Sequence, residues 1–84
     1  MKVTVYTLPV CQQCNMTKRW LDQRGIEYST VDLSTDAQAA EAVKFLGYLA
    51  APVIVVSNGD PETDLHWSGF HPANLSRYCT AAAA

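Results

Sequence analysis

Polar and apolar positions alternate at the start of the chain. Val3, Val5 and Thr7 fall on one face of residues 2–8 and Thr4 and Tyr6 on the other, the period of a half-buried strand. The period then lengthens. Between Cys11 and Arg24 the residues Cys14, Met16, Thr17, Trp20 and Leu21 read as one side of a helix and Asn15, Lys18, Arg19 and Asp22 as the other, with Gly25 placed just past its end. Residues 26–31 read as a second strand, and Ser34 as the N-cap of a second helix. In that helix Ala39, Ala42, Val43 and Leu46 follow helical spacing up to a stop at Gly47. Ala51-Pro52 then opens Val53-Ile54-Val55-Val56, an uninterrupted β-branched run suited to a strand buried on both faces. Residues 57–61 form a dense turn signal, residues 64–67 complete a hairpin, and Ser68-Gly69 marks another turn. Pro72 suits the first turn of a final helix ending near Cys79. The predicted order is β-α-β-α-β-β-α. Residues 1–80 read as one domain, and residues 81–84 as an alanine tail expected to fray.

Composition narrows the classes of partner. The chain has 84 residues, 49% of them apolar, enough for one compact core and too little length for a second catalytic domain. With a net charge of −2 and six scattered basic residues, it has no electrostatic footprint for nucleic acid or an anionic membrane. A protein or a small molecule is the expected partner. Met1-Lys2 leads straight into the alternating segment without an apolar signal region, and no apolar stretch reaches the roughly 18 residues of a membrane span. The expectation is a soluble, cytoplasmic monomer. Three cysteines with a single close pair fit a reducing compartment better than a secreted disulfide framework, and Cys79 reads as a spare thiol.

The chemistry is concentrated in Cys11-Gln12-Gln13-Cys14, at a strand-to-helix junction. The first turn of a helix has unpaired N–H groups and a positive dipole end, both of which favour a thiolate. A free cysteine titrates near 8.5, and one so placed falls to roughly 3.5–7.5, so Cys11 is the candidate nucleophile. Cys14, about one turn deeper, is the candidate resolving thiol. Other uses of the pair compete. As a structural staple the four-residue loop is worth only about 2 kcal/mol in the chain-entropy model. As a metal site it needs further ligands from Cys79, His66 or His71, and no second C-x-x-C pair follows. Two unrelated cysteines are disfavoured by their place at the junction.

A C-x-x-C after the first strand, with a proline later opening a buried strand, resembles the thioredoxin fold in its smallest, glutaredoxin-like form. The likeness narrows with Cys11-x-x-Cys14-Asn15, Gly25-Ile26-x-Tyr28, Val31-Asp32-Leu33-Ser34, Leu46-Gly47-Tyr48, Ala51-Pro52-Val53 and Trp67-Ser68-Gly69-Phe70-x-Pro72, which are similar to segments of the NrdH-redoxins. The match spans roughly residues 2–78. The resemblance implies an α/β thioredoxin fold with a four-stranded mixed sheet and three helices. It implies a dithiol electron donor that reduces the large subunit of a class Ib ribonucleotide reductase. Thioredoxin reductase, using NADPH, would restore the dithiol from a Cys11–Cys14 disulfide, with no bound cofactor. Pro52 matches the family's cis-proline; taken without the resemblance, an ordinary trans proline fits equally well. Gln12, Gln13, Ala51, Pro52, Trp67, Ser68, Gly69 and Phe70 are the expected partner-facing residues, although Trp67 and Phe70 taken alone read as core.

Departures from the family pattern are His71, where relatives carry an arginine, and Gln12, where an apolar residue is usual. His66 is expected on the solvent side of an edge strand with no role. No acid stands beside Val3 and Val5 in the first strand to take the proton of the resolving cysteine. A glutaredoxin dependent on glutathione or another small thiol is the nearest alternative. Ser68-Gly69-Phe70-His71-Pro72 stands where such proteins carry an acidic clamp. An arsenate reductase-like or redox-sensing protein is disfavoured by Ala50 and Ala51 before Pro52, and a Cys/His metal module is the non-enzymatic alternative.

Overall fold

In a computed structural model that describes residues 2–57 and 64–79, the elements follow the predicted order. They are β1 (Lys2–Thr7), α1 (Gln12–Gln23), β2 (Ser29–Asp32), α2 (Ala37–Phe45), β3 (Val53–Ser57), β4 (Leu65–Ser68) and α3 (Pro72–Tyr78). Much of the expected turn at 57–61 and the alanine tail lie outside the described residues.

The sheet has the order β2-β1-β3-β4, with β1 parallel to β2, antiparallel to β3, and β3 antiparallel to β4. Direct cross-strand partners share a face. The registers Val3↔Val56, Val5↔Ile54 and Ile54↔Trp67 therefore align the apolar rows of three strands. That face packs with Leu21 of α1, and with Leu75 of α3 and the adjoining Cys79, in one buried cluster. The opposite face, carrying Tyr6, Val31, Val53 and Val55, is covered more thinly. Val43 is the one buried residue of α2, and Val55 is half-buried rather than enclosed as the β-branched run suggested.

Three local expectations change. Met16 lies in the open, because the buried row of α1 is Cys14, Thr17 and Leu21, spaced by three and four residues. The second strand begins at Ser29 instead of Ile26. Gly25 at φ 65° lets the N–H of Gly25 reach Asp22 and the N–H of Ile26 reach Leu21, so residues 24–26 close the helix before any strand can start. Asp36, not Ser34, caps α2, its Oδ1 accepting from Ala39 N–H at 2.9 Å. Ser34 is instead drawn back to Asp32, donating from its amide at 2.8 Å and its hydroxyl at 2.6 Å. Those two donors hold the Asp32 carboxyl below the usual carboxylate range, the hydroxyl more than the amide.

Candidate redox site

The loop after β1 ends at Cys11, whose extended backbone makes it the N-cap of α1. A sulfur here does what a serine or aspartate oxygen does at other helix starts: Cys11 Sγ accepts from the backbone N–H of Cys14 at 3.1 Å. The two cysteines are joined as a disulfide, with Cα atoms 5.2 Å apart. Their surroundings differ sharply. Cys11 is half-buried, whereas Cys14 is fully enclosed against the sheet face of α1. Between them Gln12 and Gln13 are exposed, and Thr17 Oγ1 donates to the Gln13 carbonyl at 2.9 Å.

Two distant segments are linked to the cysteine motif by hydrogen bonds. The Ala51–Pro52 bond is cis, and the Pro52 ring is buried. Pro52 O accepts from Gly69 N–H at 2.8 Å, Ala50 O accepts from Ser68 Oγ at 3.1 Å, and Gln13 Oε1 accepts from Phe70 N–H at 3.0 Å. The turn after β4 is thereby tied to both the proline loop and the cysteine motif. Gly69 takes φ 87°, and a Cβ there would lie 3.2 Å from Gln13 Oε1, so both its backbone and its close approach call for glycine.

Trp67 belongs to the core, tilted against Tyr78 with ring centroids 6.0 Å apart, and its buried Nε1 has no hydrogen-bond partner among the described residues. Phe70 is half-buried and packs on that cluster. Ser68 and Gly69 lie at the surface between them, half-buried. The aromatic side chains therefore act beneath the turn, and the expectation of core for each, taken alone, describes their packing.

Sequence reading missed the partner of His66, whose Nδ1 stands 2.8 Å from Tyr48 Oη with the rings edge to face. It also missed the Ala50 carbonyl as an anchor. Neither residue carries a local signal, since each partner is 18 residues away. Beside the proline loop an apolar groove of about 170 Å³ is lined by Leu8, Leu33, Val43, Tyr48, Leu49 and Ala51. A larger open hollow of about 710 Å³ lies around Lys2, Ile26 and Tyr28, at the opposite end of β1 from the cysteines, and none of the expected site residues lines it. Among the described residues, no three His, Cys, Asp or Glu side chains are grouped to hold a metal ion. No helix among those residues is long and apolar enough to cross a membrane.

The Glutaredoxin family model matches residues 3–60. The chain is 35% identical to the glutaredoxin-like protein NrdH of Escherichia coli K12 over 77 residues, covering 92% of this chain and 88% of that protein. It belongs to the NrdH group of the glutaredoxin family. NrdH of Lactococcus lactis subsp. cremoris is also 35% identical, over 89% of this chain and 96% of its own. The solved structure of the E. coli NrdH-redoxin superposes with a TM-score of 0.81 at 34% identity, covering 92% and 93% of the two chains. As an NrdH-type protein with the fold described, the chain is a thiol-disulfide oxidoreductase whose redox group is a C-x-x-C pair.

Proposed function

We propose that this protein is the dithiol electron donor to a class Ib ribonucleotide reductase and is itself reduced by thioredoxin reductase. The observation that carries the reading is the unequal exposure of the two sulfurs at a helix start, next to a cis-proline loop and a turn tied to both. Support for the partners comes from the NrdH relatives and from the thioredoxin-like activity profile named for the E. coli NrdH-redoxin.

Cys11, within reach of solvent and with the Cys14 N–H aimed at its sulfur, is the nucleophile. Its thiolate attacks one sulfur of the partner disulfide, forming a mixed disulfide and releasing the partner's other sulfur as a thiolate, which takes up a proton. Cys14 gives up its proton and attacks Cys11 Sγ, so the Cys11–Cys14 disulfide forms and the partner leaves as a dithiol. Two electrons pass to the partner, and NADPH returns them through thioredoxin reductase. Gln12, Ala51, Ser68 and Gly69 form the partner-facing rim, with Pro52, Trp67 and Phe70 as its base. Val10 and Leu49, each more than nine-tenths exposed, extend that rim with apolar surface suited to a protein. The protein works as a cytoplasmic monomer.

The test is NADPH oxidation by thioredoxin reductase with this protein as the sole disulfide substrate, beside glutathione with glutathione reductase. Rapid turnover in the first and none in the second is expected, and the converse would make this a small-thiol glutaredoxin. Cys11→Ser abolishes turnover, and Cys14→Ser accumulates the mixed disulfide. Turnover surviving in the Cys11 variant would reverse the assignment.

A further inference from the structure

Gln13 lies inside the cysteine motif, yet its side chain is turned toward another part of this same chain. Its Oε1 takes the Phe70 N–H, 57 positions along the sequence, at 3.0 Å. The donor there is a backbone N–H, so the Gln13 amide must present its oxygen. The Gln13 main chain is held as well, its carbonyl accepting from Thr17 Oγ1 at 2.9 Å. The residue is therefore anchored at both ends. Its oxygen also lies where a Cβ on residue 69 would come within 3.2 Å, so a side chain at 69 would press on this contact.

Among the described residues, the turn it reaches is otherwise tied to the proline loop, by Ser68 Oγ on Ala50 O and Gly69 N–H on Pro52 O. Without Gln13, no hydrogen bond among the described residues would join the turn to the cysteine motif. With it, the first turn of α1, the proline loop and the 67–70 turn share one set of hydrogen bonds.

We infer that Gln13 is a positioning residue that sets the 67–70 turn against the disulfide, and so favours large protein disulfides, which touch both, over small ones, which need the sulfur alone. This rests on the reading of the turn as part of the partner rim. It differs from the sequence expectation that the Gln13 side chain itself faces the partner.

The test compares Gln13→Met, near in shape but without the amide acceptor, with Gln13→Glu, which keeps an acceptor oxygen. Each protein is first reduced chemically, and its oxidation rate constants with insulin and with hydroxyethyl disulfide are then measured. The ratio of the two is expected to fall at least fivefold in Gln13→Met and to stay within twofold of wild type in Gln13→Glu. Amide exchange at Phe70 should speed up in the Met variant only. A Met variant with wild-type ratio and wild-type Phe70 exchange overturns the inference, as does a Glu variant indistinguishable from Met. Because thioredoxin reductase takes no part, its failure to reduce the wild type would overturn the proposed partner while leaving this outcome readable.

Discussion

Cys79 carries a thiol into the core, where it packs in the cluster of Trp67, Leu75 and Leu21. Burial pushes its ionisation from 9.0 up to about 11, because a thiolate there would be cut off from water. The unfolded chain loses this proton near pH 9 and the folded chain keeps it until about 11. The native state thus binds more protons in that interval, so the contribution to stability is full below pH 9 and is lost as pH rises toward 11. The denaturation midpoint of the wild type is expected to decline more steeply from pH 9 to 11 than that of Cys79→Ala, and parallel curves would show that the thiol does not titrate on unfolding. Iodoacetamide at pH 8 should alkylate Cys11 in the reduced native protein and reach Cys79 only after denaturation, as peptide mapping would show. At this scale the sequence was informative wherever chemistry is local. Two cysteines at a helix start announce themselves, but the bond from Gln13 to Phe70 and the pairing of His66 with Tyr48 depend on residues brought together by folding.

Helix boundaries follow from competition among neighbours. Asp36 and Ser34 both have capping side chains, and Asp32 decides between them by capturing the Ser34 hydroxyl and amide. Asp36→Ala should therefore cost about 0.5–2 kcal/mol, read from chemical denaturation, while Ser34→Ala leaves the cap intact and costs less. Equal losses would mean that Ser34 shares the capping. At their other ends α1 and α2 close alike: the Gly25 and Ile26 amides return to Asp22 and Leu21, and those of Gly47 and Tyr48 to Lys44 and Val43. Both stops were legible because they need only a glycine and the residue after it. The start of β2 was not, since Ile26 is apolar and β-branched and looks like strand until its amide is engaged by the helix.

Across the whole molecule the two faces of the sheet are unequal in support. β1 and β3 are paired on both sides, and α1 contributes Cys14, Thr17 and Leu21 to the buried interior. α2 contributes Val43 alone and leaves Phe45 largely exposed. Native-state amide exchange should accordingly show α2 opening first, with protection at least about tenfold below that of β3. Equal protection would imply that α2 unfolds only with the rest.

The order of elements, the redox pair and its helix start were legible before folding, because periodicity, glycine stops and a C-x-x-C are set by residues within a turn or two of one another. The unequal exposure of the two sulfurs, the cis Ala51–Pro52 bond, and the hydrogen bonds that join Gln13 to Phe70 and Pro52 to Gly69 came from the folded chain. Those facts depend on strand order and register, which bring residues 13 and 70 within one hydrogen bond, and no local preference encodes a contact across 57 positions.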